Sequence, residues 1–253
     1  MTLTISGEPL VAYLLASVRI LAWLAVVPPF SGKSVPSMAK VVLGLGLAFA
    51  AVPAGGAIPL DTLSLMLNVG TQVLIGLAMG FVTQLLLGAI AAAGALIDVF
   101  GGFSLAQGFD PLSMNQNTVF GKFHSMLATV LLFVSGGHLI VIGGLLRTFH
   151  FLPLGTSPDW GGFPDAMMTA FGLFFTTAVQ IALPMIAVLF ISDLGLALMT
   201  KVAPQLNAIN VMFPVKIGLT LLLVGLSFPV LPQAVDRLVD LTTQAMSQMS
   251  GAG

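Results

Sequence analysis

Cysteine is absent from all 253 residues, which excludes disulfides and thiol chemistry and leaves the redox compartment open. Charge is almost as scarce: Asp, Glu, Lys and Arg make up 7% of the chain, against roughly 25% in a typical soluble domain. A soluble protein of this length can bury a good core, but it still needs a polar surface. There is too little here to build one. The net charge of −1 supplies neither a basic face for nucleic acid nor an anionic one for a cationic partner. Glu8 is the only charged side chain before the first apolar run, so the basic n-region of a cleaved signal peptide is missing.

What the chain does have is apolar length. Hydrophobic residues are 57%, mixed with 28 glycines, and the mean hydropathy is +1.08. Between Asp61 and Asp98 run 36 residues, Thr62 to Ile97, without one charged side chain. As a helix that run would extend roughly 54 Å, against a bilayer core about 30 Å thick. Nothing along it is suited to face water, so it crosses a membrane with turns to spare or folds back near it. The other uncharged or nearly uncharged runs are Leu10 to Phe30 with Arg19 inside, Val41 to Leu60, Phe123 to Leu146, Ala166 to Ser192 and Ile217 to Val235. These six segments predict an all-α, polytopic integral membrane protein in contact with lipid, forming a single membrane-embedded domain over residues 1–253.

Placing the amino terminus outside puts Lys33, Lys40, Lys122, Lys201 and Lys216 in inner loops. Only Arg147 and Arg237 remain outside, among most of the carboxylates. The bias agrees with the positive-inside rule. Gly76 and Gly80 form a G-x-x-x-G, and Gly88, Ala92 and Ala95, or Ala91 and Gly94, extend the small-residue spacing. Such spacing lets helix backbones approach where lipid gives no hydrophobic drive for association. Pro184 falls inside its segment and predicts a kink there.

Enzyme chemistry is not written in the sequence. H-E-x-x-H, G-x-S-x-G and a P-loop G-K-[ST] are all missing. Ser104 with His124 and His138 lacks a nucleophile turn, and the histidine spacings of 14 and 12 match no metal motif. No cofactor is implied. Small-solute transport coupled to ions calls for carboxylates well inside the spans, whereas Asp98 and Asp193 lie at segment ends. Arg19 alone lies deep, and an isolated arginine there must face protein, a carbonyl cluster or a carboxylate.

The connector Gly101 to Asn117 is unusual. Phe103, Leu105, Phe109, Leu112 and Met114 alternate with small and amide residues, among them Gln107, Gly108 and Asn115, and with Asp110-Pro111. A solvated loop would hold more charge and a membrane helix fewer amides. Such a segment suits a loop buried in protein or lining a cavity, where irregular backbone at membrane depth is allowed.

Several motifs in order resemble the FliR family of flagellar export-gate proteins and its injectisome counterparts, the T subunits. They are Arg19 with Pro28-Pro29-Phe30, Val35-Pro36 and Lys40; Asp98, Gly101 to Ala106 and Asp110-Pro111; and Gly136-Gly137-His138, Phe149 and Pro153-Leu154-Gly155. The most specific is Ala203-Pro204-Gln205-Leu206-Asn207 with Phe213-Pro214-Val215-Lys216-Ile217-Gly218-Leu219. The resemblance covers about Arg19 to Leu219. It implies a non-enzymatic subunit with bent helical hairpins, packed with FliP-like and FliQ-like subunits in a helical gate around a protein-conducting pore. Flagellar export outranks injectisome secretion, and small-solute transport is the remaining alternative. It implies FlhB-like and FlhA-like neighbours, unfolded protein substrates in transit, a place in the flagellar basal body at the bacterial inner membrane, and no nucleic acid. It places a pore plug at roughly Phe103 to Asn117. Gln205 and Asn207 then join Arg19, Asp98 and Asp193 as candidate buried polar groups.

Overall fold

The computed structural model describes residues 7–32, 35–51, 61–103, 118–156, 158, 161–202 and 208–251. Their regular structure is helical: α1 (Glu8–Val26), α2 (Ser37–Ala51), α3 (Thr62–Gly101), α4 (Val119–Val134), α5 (Gly137–Phe151), α6 (Gly162–Val202) and α7 (Ala208–Ser227). A short 3-10 turn, Phe228–Val230, leads into α8 (Leu231–Met249). Proline and glycine set several boundaries. Pro9 sits in the first turn of α1 beside Glu8, where a missing N–H is harmless and a carboxylate is favoured. The helix stops before Pro28-Pro29, a cis pair. Asp61 caps α3 by accepting the Ser64 N–H at 3.1 Å, which holds its carboxyl below the ordinary carboxylate value.

Among the described residues the six apolar segments become four helices long and apolar enough to cross a membrane: Glu8–Val26, Thr62–Gly101, Gly162–Val202 and Met212–Met249. A fifth is added when α4 and α5 count together. Two expectations fail for local reasons. In the Val41–Leu60 segment the described helix α2 runs to Ala51, and its 15 residues reach about 22 Å, short of the bilayer core. The Phe123–Leu146 segment breaks at Gly136, whose φ of 74° belongs to the left-handed region that only glycine enters cheaply. Lys40, Lys122, Lys201 and Lys216, expected in loops, lie on α2, α4, α6 and α7, so loop counting no longer assigns sides. The last segment runs beyond Val235 because α8 is amphipathic. It buries Leu231, Val235, Leu238, Val239, Thr242 and Met246 at helical spacing while Gln233, Asp236, Arg237 and Asp240 face out. The helix α6 continues through Pro184.

The chain forms two compact units. One comprises Met1–Leu86, Gly136–Phe171 and Leu238–Gly253, the other Leu87–Ser135 and Gly172–Arg237. In the first, α1 lies against α2, with the Tyr13 hydroxyl donating to the Leu45 carbonyl at 3.0 Å. The other side of α1 meets α3. A Cβ at Gly76 would collide with the Arg19 carbonyl and the Ala22 side chain, and one at Gly80 would sit 3.2 Å from the Trp23 carbonyl and from Val26. Gln72, Gly76 and Gly80 thus form one stripe of α3 on which the α1 backbone rides. Gly88 has open space around it. In the second unit the core joins Ala93 and Ile97 of α3, Phe120 of α4, Ala182 and Met185 of α6 and Val224 of α7.

Gly76 and Gly88 therefore make a matched test. Gly76→Ala should lower stability by about 1–3 kcal/mol, because the obstacle is backbone and cannot swing away. Gly88→Ala should be neutral or raise stability by up to about 1 kcal/mol through helix propensity. Thermal unfolding of the two purified variants in one detergent checks the ranking.

Candidate functional site

Two buried anchors, around Arg19 and Asp98, and one half-buried ion pair stand out among the polar side chains of these units. Arg19 is fully buried on α1. Its Nε donates to Gln72 Oε1 at 2.6 Å and its Nη2 donates to the Leu152 carbonyl at 3.0 Å. The guanidinium carbon stands 4.2 Å from the Phe149 ring centroid, a cation–π arrangement. Leu152 is the C-terminal residue capping α5, placed there because Pro153 cannot follow inside a helix. A helix end of this kind carries unpaired carbonyls and partial negative charge. The arginine is thus held without a carboxylate by an amide oxygen, a helix C-terminus and an aromatic face. Its Nη1 and the Gln72 Nε2 are buried donors without a partner among the described residues.

The second anchor inverts this logic. Asp98, fully buried near the end of α3, accepts the backbone N–H groups of Phe120 at 2.8 Å and Gly121 at 3.1 Å through one oxygen, Oδ2. These donors belong to the first turn of α4, whose own N-cap residue Thr118 makes no side-chain cap bond. A carboxylate from another helix supplies the missing acceptor and meets the positive end of the helix dipole. The helices come this close because Ala91, Gly94 and Asp98 share a face of α3. A Cβ at Gly94 would strike the Phe120 carbonyl, and one at Gly121 would lie 3.3 Å from the Ala91 carbonyl. Phe103 rests against Phe120 with ring centroids 4.9 Å apart. His124 is buried one turn on, with Nδ1 2.8 Å from the Phe120 carbonyl oxygen. An acceptor there makes Nδ1 the protonated nitrogen. Asp98 and the two rings hold together the ends of α3 and α4 that flank residues 104–117.

The ion pair joins α7 to α6: Lys216 Nζ donates to Asp193 Oδ2 at 2.8 Å, the two side chains 13% and 32% exposed. Gly101 lies beside Thr220 and Gly102 beside Lys216, so the close of α3 packs near this pair. Of the sequence candidates, Leu105, Gln107, Gly108, Phe109, Asp110, Pro111, Leu112, Met114, Asn115, Gln205 and Asn207 lie outside the described residues. Sequence reasoning missed Gln72, Phe149 and the Leu152 carbonyl around Arg19, and Lys216 as the partner of Asp193. Gln72 had left one signal: an amide four residues before Gly76, on the packing stripe of an otherwise apolar run. Among the described residues, three or more His, Asp or Glu side chains are nowhere gathered as a metal site would need.

The family model for bacterial export proteins, family 1, matches residues 10–242. The chain is 31% identical to the flagellar biosynthetic protein FliR of Pectobacterium carotovorum subsp. carotovorum, covering 93% of this chain and 92% of that one. It is 32% identical to the FliR of Escherichia coli K12 over 87% and 85%. It is 26% identical to the Yop proteins translocation protein T of Yersinia pestis over 85% of each chain.

Each anchor generates a graded pair of variants. Arg19→Leu should cost about 3 kcal/mol, the loss of two hydrogen bonds from a charged donor. Arg19→Glu should be worse, since it buries an unpaired carboxylate against the Gln72 and Leu152 oxygens. Equal tolerance of both in expression level and melting temperature would contradict this arrangement. At the other anchor Asp98→Ala should cost about 1–2 kcal/mol, the usual value of a lost N-cap. Asp98→Asn keeps one acceptor oxygen and should recover most of it, which hydrogen exchange of the first turn of α4 reads directly.

Proposed function

The chain belongs to the bacterial export proteins, family 1, and on that premise we propose that it is a structural, pore-forming subunit of the flagellar type III protein-export gate. In this reading it sits in the inner membrane at the flagellar basal body, beside FliP-like and FliQ-like subunits and near FlhB-like and FlhA-like components. It serves export of flagellar building blocks and so flagellum assembly, without an enzymatic step of its own. Identity is higher to the two FliR proteins than to the Yersinia translocation protein, which favours the flagellum over the injectisome.

The observation that carries an assembly role is a mismatch of length. The helix α6 has 41 residues, about 61 Å. Large apolar side chains are exposed along it from Met168, 73% exposed, to Val202, 86% exposed, about 51 Å of helix. On α3 they run from Leu63 to Phe81, about 27 Å, so the mismatch lies on α6. A hydrocarbon core of about 30 Å covers only part of the α6 stretch when the helix is upright. Fitting 51 Å by tilt alone needs roughly 54°, beyond the range of up to about 40° seen for membrane helices. The remaining apolar surface requires protein cover, which apolar gate subunits provide. Small-solute transport is disfavoured by the two candidate carboxylates, since Asp98 caps a helix and Asp193 is paired with Lys216.

The plug is proposed at residues 103–117, with its base held by Asp98. Deleting Gly108 to Asn115 should leave co-purification with the FliP-like and FliQ-like subunits intact and make resting cells leaky to small solutes. A gate that assembles and stays tight after the deletion reduces the segment to a connector. A variant that loses uptake of one solute without a general leak favours the transporter reading instead. Permeability to a small fluorescent dye, measured alongside complex yield, separates these results.

A further inference from the structure

The second unit contains a groove of about 540 Å³ bounded by α6, the end of α7, the 3-10 turn and the start of α8. That volume lies within the usual range for small-molecule sites, about 300–1,000 Å³. Its lining is graded from end to end. The helices α6 and α7–α8 run antiparallel here, as the Asp193–Lys216 pair and the contact of Ala182 and Met185 with Val224 fix. Thr177 and Gln180 of α6 therefore lie at the same end as Gln233 and Arg237 of α8. Met185, Val188, Leu223 and Leu226 line the other end. One end is thus polar with a single cation, and the other is apolar.

The polar end coincides with a boundary in the sequence. Ile217 to Val235 carries no charge, and Asp236 and Arg237 follow at once, as expected where a span meets the headgroup layer. Arg237 is exposed and makes no ion pair or side-chain hydrogen bond among the described residues. Along the apolar end Val188, Leu226 and Val230 are exposed, so the groove is open sideways. From Thr177 to Val188 the groove follows α6 for about 16 Å. Pro184 lies in its wall. Its missing N–H leaves the Gln180 carbonyl without the usual helical donor, and its ring replaces regular side-chain packing at that point.

We propose that this groove is a phospholipid site, with the lipid phosphate on Arg237 and one acyl chain along Met185, Val188, Leu223 and Leu226. A guanidinium matches a phosphate with paired donors, and the Thr177 hydroxyl and the Gln180 and Gln233 amides face the ester region. Basic pockets between membrane helices are a recurrent form of headgroup recognition. The chemistry selects a phosphate-bearing amphiphile. A diacylglycerol of the same chain length fills the groove but leaves Arg237 bare.

The test uses the full chain purified in mild detergent, examined by native mass spectrometry and by thermal unfolding with added lipid. Wild type should retain about one phospholipid per chain and melt higher with dioleoyl phosphatidylglycerol than with dioleoylglycerol. Arg237→Gln should abolish the difference between the two lipids. Leu226→Trp, at the other end, should fill the groove and abolish retention while Arg237 is intact. Circular dichroism and monodispersity of both variants separate lost lipid from lost fold. Equal response to the two lipids, or unchanged retention in both folded variants, would overturn the proposal. So would variants that keep the lipid but no longer co-purify with the FliP-like and FliQ-like subunits, since a partner helix would then be the occupant.

Discussion

Close approach of backbone to backbone is the constraint on which the first unit depends. Gly76 and Gly80 let α1 lie on α3 so tightly that a methyl group at Gly76 would meet the Arg19 carbonyl. Where lipid is as apolar as the helix surface, burial of leucine discriminates poorly between packed and separated helices. Dispersion attraction at short range, and the polar bonds that short range permits, make the difference. The same stripe of α3 carries Gln72, so the approach that brings α1 near also delivers Arg19 to its amide acceptor at 2.6 Å.

Among the described residues, the two lone buried charges are each placed on a helix end of opposite polarity. Arg19 sits on the carbonyl end of α5 and Asp98 on the N–H end of α4. Each charge answers groups that the helix cannot satisfy internally, and each helix end offers a partial charge that no counter-ion need supply. This explains how the chain buries an arginine and an aspartate without pairing them with each other or with neighbouring ions. The Asp193–Lys216 pair, which is less buried, uses direct charge neutralisation instead. Buried ionisable groups in membrane proteins are commonly functional. Here the contacts of all three sites are with the fold itself.

Asp98, Phe103 and Phe120 fix the ends of the helices on either side of residues 104–117. The exposed apolar side of α6 meanwhile extends farther than a bilayer core is thick, which is the surface the proposed gate subunits would cover.

The sequence alone determined the class of this protein and the family it belongs to. Charge-free runs as long as Thr62–Ile97 admit nothing but a membrane or an equally apolar setting, and the ordered motifs from Arg19 to Leu219 are specific in series. It also marked Gly76 and Gly80 as small and Arg19 as isolated. Only the tertiary structure decided which small residues are used, giving close contacts to Gly76, Gly80 and Gly94 and none to Gly88. The physical reason is that an apolar helix has no polar face to orient it, so periodicity cannot reveal which side is buried. The number of spans was likewise undecided by hydropathy. Phe123–Leu146 is apolar apart from two histidines, yet its helix breaks at Gly136. Helix ends are set by backbone conformation and by distant caps such as Asp98, and neither leaves a trace in a hydropathy profile. The partners of Arg19 come from positions 53 and 133 residues away, a proximity that exists only once the chain has folded.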